Sequence, residues 1–142
     1  MTAKLRRTLL LLQAATAVFV GAWAAAAPAF WWRSFPGAGH HWLPMLGTYN
    51  EHLARDVGAL YLALAVVTLG AAARPADDFL VRLTALAWLA FSVPHLLYHL
   101  GHLAHYAPLD QVGNVVTLSL VTLVPAVLLA PRRAPRGASV SR

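Results

Sequence analysis

Four apolar runs, each long enough to cross a bilayer, fill most of this 142-residue chain, and they leave no room for a separate soluble catalytic domain. A hydrocarbon core about 30 Å thick needs about 20 apolar residues at 1.5 Å per residue. The first run lies at about residues 8–27, behind the basic flank Lys4, Arg6 and Arg7. The others lie at about 51–73, about 79–106 with Pro94 inside, and about 110–130 with Pro125 inside. With 59% hydrophobic and 11% charged residues, the chain has under half the charge of a typical soluble domain. The expected fold is an all-α four-helix transmembrane bundle forming one membrane domain over 1–130. A basic, disordered cytoplasmic tail is expected over 131–142.

The first run also fits a secretory signal, with its basic flank and alanine-rich end. Its apolar stretch exceeds the usual 7–15 or so residues of a signal core, which favours a retained helix. Lys4, Arg6, Arg7, Arg74, Arg82, Arg132, Arg133, Arg136 and Arg142 lie on one side of the four runs, and only Arg33 and Arg55 lie toward the other. The positive-inside rule therefore puts both termini in the cytoplasm. The net charge of +6 follows from that topology and from attraction to anionic headgroups, and gives no reason to expect nucleic acid as a partner. The connection 28–49 carries Phe30, Trp31, Trp32, Phe35 and Trp42, and is expected to lie along the outer interface or to dip in as a cap.

All seven histidines fall toward the outer ends: His40 and His41 in the connection, His52 at the start of helix 2, and His95, His99, His102 and His105 in helix 3. Ionisable groups inside spanning segments are costly and usually functional. Counting from the cytoplasmic ends puts Asp56, His95 and Asn114 in one layer about 24–26 Å deep, and His52, His99 and Asp110 in a second near about 30 Å. In a continuous helix His95, His99, His102 and Tyr106 form a narrow stripe, while His52 with Asp56 and Glu51 with Arg55 are i,i+4 neighbours. His40 and His41 read as solvated loop residues. Tyr61, Thr68, Trp88 and Ser92 read as packing residues.

Imidazole and carboxylate together suit Zn, Fe, Cu or Mn. The expected ligands are His52, Asp56, His95 and His99, with His102 as an alternative ligand or general base. Asn114, Asp110 and Tyr106 are expected beside the bound group, orienting the imidazoles. Haem with two axial histidines is a weaker option because nothing singles out a pair. Copper(I) handling is disfavoured with two methionines and no cysteine. The spacing H-x3-H-x2-H-x2-H partly resembles the histidine boxes of membrane desaturases, but those enzymes have several boxes and a cytoplasmic site. Interhelical polar contacts and pH sensing or proton relay are the competing readings of the same residues.

The segments Tyr49-Asn50-x-His52-x3-Asp56-x-Gly58 and Pro94-His95-x3-His99-x2-His102 resemble small four-helix integral membrane proteins of actinobacteria, DoxX-like in size and topology. That resemblance implies a fold and no activity. The leading functional expectation is an outward-facing His/Asp pocket that binds a metal or cofactor and acts on a membrane lipophile. The alternative is a non-catalytic subunit of a membrane complex, or a small-lipophile binder. The expected partners are the bilayer, a lipophilic small molecule, and a second copy or another membrane protein.

Overall fold

In the computed structural model, which describes residues 1–131, four long helices carry the apolar runs: α1 (Ala3–Ala26), α3 (Glu51–Ala73), α4 (Asp78–Gly101) and α5 (Pro108–Leu128). All four are long and apolar enough to span a membrane. The expectation of a disordered tail falls, apart from Pro131, on residues outside those described. Local chemistry sets several ends. The side chains of Thr2, Asn50 and Asp77 accept hydrogen bonds from the backbone N–H of Leu5, Leu53 and Leu80 and cap α1, α3 and α4. Pro108 occupies the first turn of α5, where its missing N–H costs nothing.

The helical pattern expected to continue to residue 106 stops at Gly101 and gives way to a short 3₁₀ turn over Leu103–His105. Glycine is a poor helix interior residue. Beyond it, Nδ1 of His102 donates to the Tyr98 carbonyl at 2.7 Å, and Nδ1 of His105 donates to the His102 carbonyl at 3.0 Å. These side chains occupy carbonyls that a continuing helix would have used. The expected stripe therefore breaks after His99.

The expected interfacial connection is folded. It contains the short helix α2 (Pro28–Ser34), paired two-residue strands β1 (Pro36–Gly37) and β2 (His40–His41), and a 3₁₀ turn over Leu43–Leu46. We call it the cap. The turn between its strands passes through positive φ at Gly37, Ala38 and Gly39.

The most extensive helix contact is between α1 and α3, followed by α4 with α5. Lipid-embedded helices gain nothing from burying apolar surface against each other. They associate through close packing of small residues and interhelical hydrogen bonds. Both devices are present. Gly21 and Ala25 of α1 approach Gly58 of α3, Ala17 and Ala24 share a buried cluster with Ala54 and Ala65, and a Cβ at Gly58 would lie 2.5 Å from the Ala25 backbone nitrogen. Across the bundle Trp88 Nε1 donates to Thr68 Oγ1 at 2.8 Å, and Gln13 Nε2 donates to the Val121 carbonyl at 3.0 Å.

The end opposite the cap is closed. Leu10, Ala71, Ala72, Val81, Ala85 and Leu128 form a buried cluster there. The fully buried Arg6 pairs with Asp78 and donates to the Ala130 carbonyl at 3.3 Å, joining α1, α4 and the end of α5. Gly58→Ala is expected to destabilise the protein by about 1–3 kcal/mol by forcing α1 and α3 apart. Equilibrium unfolding in detergent checks this, and an unchanged midpoint would mean that the close approach is not needed.

Candidate functional site

At the cap end the two helix pairs separate around an interior cavity of about 560 Å³. Every helix contributes to its wall. Thr16, Phe19 and Val20 come from α1, Leu53, Ala54, Val57 and Tyr61 from α3, Phe91, His95, Tyr98 and His99 from α4, and Asn114, Thr117, Leu118 and Val121 from α5. Trp31 and Trp32 of α2, together with Phe35, Trp42, Leu43 and Leu46, form the lid. Trp31, Phe35 and Trp42 stack edge to face or tilted in a chain, at 5.8 Å and then 6.1 Å between rings. A shallower depression of about 340 Å³ lies beside α5, under His40 and Trp42.

Asp110, expected beside a cofactor, instead fastens the lid. Its Oδ1 accepts from Trp42 Nε1 at 2.8 Å and lies 2.5 Å from His40 Nδ1. The Trp42 ring can approach because position 113 is glycine, where a Cβ would meet the ring at 2.9 Å. His40, expected to be a solvated loop residue, is thus tied to the bundle. His41 donates Nδ1–H to the Arg33 carbonyl at 2.5 Å within the cap.

The polar corner of the cavity is formed by His95, His99 and Asn114. His99 is 6% exposed and Asn114 1% exposed. The His99 ring lies against the Tyr106 ring at 6.4 Å, and the Tyr106 hydroxyl is 3.5 Å from His99 Nδ1. Burial pushes the Tyr106 phenol up to about 12, so it stays protonated and can donate to that nitrogen. His99 also interacts with the Asn114 side chain, although no hydrogen bond of regular geometry reaches Asn114 Oδ1. Asn114 Nδ2 donates to the Asp110 carbonyl at 3.1 Å. Tyr106 and Asn114 therefore orient His99. His95 differs: it stacks on Phe91 at 5.1 Å and meets the His99 ring at 4.7 Å, with no hydrogen bond among the described residues.

The structure does not bring the expected ligand set together. His52 and Asp56 pair with each other at 3.5 Å, with side chains 87% and 54% exposed, and neither lines the cavity. His102 stacks on Tyr98 at 4.1 Å, also outside the cavity wall. Among the described residues no three His, Asp or Glu side chains are grouped so as to hold a metal ion. The expected Glu51–Arg55 pair forms at 2.9 Å, and Arg55 also donates to the Ala25 carbonyl near the end of α1 at 2.8 Å.

The residues that the sequence offered for the pocket lie on the second, third and fourth apolar runs, now α3, the α4 region and α5. They leave out the contribution of α1, and of Tyr61, Phe91 and Tyr98. The small-residue faces of α1 and α3 were the available signal, because they fix which sides of those helices meet. No family model, curated protein or solved structure matches the chain. Asp110→Ala should release the lid from α5 and speed hydrogen–deuterium exchange across residues 36–46 by about 10-fold or more, the loss expected for hydrogen bonds to a charged acceptor. Unchanged exchange there would show that the lid is held by its ring packing alone.

Proposed function

We propose that this chain is a multi-pass membrane protein that binds a small lipophile in the cavity beneath the aromatic cap. One observation carries the reading. The cavity has the size of a small-molecule site, within the range of about 300–1,000 Å³, and the same mix of apolar and aromatic walls with a few convergent polar groups. The bilayer supplies such ligands at high local concentration. The likeness in layout to small actinobacterial membrane proteins of DoxX-like size agrees with this reading and adds no activity to it.

The distribution of basic residues supports placing both termini in the cytoplasm and the cap, with its cavity, on the opposite side. The chain has no cysteine, so single-cysteine variants report topology directly. A membrane-impermeant maleimide applied to intact cells should label Ala38→Cys in the cap and spare Ala76→Cys between α3 and α4. The reverse pattern would invert the orientation.

A second reading places a metal such as Zn, Fe, Cu or Mn on His95 and His99, favoured by their adjacent rings in the polar corner. Two protein nitrogens leave the remaining positions of an ion to water or to a bound molecule. Elemental analysis of the purified protein separates the readings. A stoichiometric metal lost in the His95→Ala/His99→Ala variant supports the metal.

The lipophile reading predicts that organic extraction of purified protein yields a small lipophile in near-stoichiometric amount. Val57→Trp, which fills the cavity from α3, should lower the yield at least about 10-fold, since the new side chain and the ligand would occupy the same space. Equal recovery of bulk phospholipid alone from both proteins would contradict it.

A further inference from the structure

The cavity wall also specifies the chemistry of its ligand, an inference that rests on the lipophile reading. We infer that the ligand is an uncharged aromatic lipophile bearing a hydroxyl group, and that His95 is the residue that addresses the hydroxyl. Three observations lead there.

Among the described residues, no Lys, Arg, Asp or Glu lines the cavity. A charged ligand would lose its hydration and find no opposite charge, a cost that excludes it from an apolar site. An uncharged molecule incurs no such loss.

The walls are aromatic on opposite sides. Trp31, Trp32 and Phe35 descend from the cap, and Tyr61, Phe91 and Tyr98 stand on α3 and α4. Rings in a cavity favour rings in the ligand, through offset-stacked and edge-to-face contacts about 4.5–7 Å apart.

The polar groups of the corner are not equivalent. His99 is engaged by Tyr106 and Asn114, and Asn114 is anchored on the Asp110 carbonyl. His95 is half-buried, lines the cavity and has no hydrogen bond among the described residues, while its ring is held flat against Phe91 at an interplanar angle of 23°. A neutral imidazole presents one acceptor nitrogen and one N–H donor. The ligand hydroxyl donates its proton to the acceptor nitrogen, a bond that an ether cannot make. The ring stack holds the imidazole at the cavity wall, where His95 selects for the hydroxyl while the aromatic walls hold the body of the ligand.

The test uses the full-length protein in nanodiscs, with tryptophan-fluorescence titration against protein-free nanodiscs. Four probes are compared at pH 7: 2-naphthol, 2-methoxynaphthalene, which lacks the donor, 2-naphthoate, which is charged, and decanol, which lacks the ring. The wild type should bind 2-naphthol about 10-fold more tightly than 2-methoxynaphthalene, the size expected for one buried hydrogen bond, and more tightly than 2-naphthoate or decanol. His95→Phe keeps the ring stack and should erase the preference for 2-naphthol while binding 2-methoxynaphthalene as before. His95→Gln, which retains a donor and an acceptor, should restore part of it.

Equal wild-type affinity for the two neutral naphthalenes, or a preference that survives in His95→Phe, would overturn the role of His95. 2-Naphthoate binding as tightly as 2-naphthol would overturn the requirement for neutrality. Decanol binding as tightly as 2-naphthol, or binding alone, would overturn the aromatic requirement. Each of these results leaves the lipophile reading standing. Failure of all four probes to bind the wild type would remove both. The wild-type probe series decides the matter even if His95→Phe fails to fold.

Discussion

The close approach of α1 to α3 at Gly58 is the contact from which the remaining arrangement follows. In a bilayer the lipid chains are as apolar as leucine, so two helices stay together only where their backbones come near enough for dense packing. The small residues of α1 and α3 meet that condition over much of their length. α4 and α5 make the second pair. At one end the pairs are drawn together by the buried Arg6 and the cluster around Leu10 and Leu128. In the middle the Trp88–Thr68 and Gln13–Val121 hydrogen bonds tie them. Beyond that level, toward the cap, they diverge, and the interior becomes a cavity.

The cap follows from the same geometry. A bundle that opens toward one end needs cover there, and the 28–49 connection supplies it with indole and phenyl rings instead of another helix. Its attachment is polar at one point and aromatic elsewhere. Asp110, in the first turn of α5, holds both Trp42 and His40. Two features that look unrelated along the chain, an acidic residue at a helix start and His40 in a loop, thus form one fastening. The acid that the sequence placed beside a cofactor keeps the lid on the cavity.

Much of the fold was legible in the sequence, because spanning length and apolarity are properties of each helix alone. The starts of α3 and α4 and the pairing of Glu51 with Arg55 followed from local rules. The end of α4 did not, since His102 and His105 continue a helical spacing on paper, whereas the structure uses their side chains to occupy backbone carbonyls after Gly101. Rotation was the larger miss. A helix that is apolar on all sides does not announce which face turns inward, so His52 and Asp56 were placed toward His95. The inward stripe of α3 is Ala54, Gly58, Tyr61, Ala65 and Thr68. At about 100° per residue, Asp56 lies about 160–200° from Ala54 and Gly58, which turns it and His52 outward. The small residues, read as a packing face, would have shown this. On α4 the buried Trp88, Ser92 and His99 run along one face with His95 at the cavity, so two of the four histidines expected on that helix, His95 and His99, face the interior.

The central claim is that the interior at the cap end receives a lipophile from the bilayer. The most direct test is photolabelling in native membranes with an aryl alcohol that carries a diazirine, followed by peptide mapping of the labelled sites. The account predicts saturable labelling concentrated on the cavity wall, at Trp31, Phe91 and His95 and their neighbours. Labelling that does not saturate and is spread over lipid-facing positions such as Leu60, Val66 and Leu120, with the cavity residues unmarked, would contradict it.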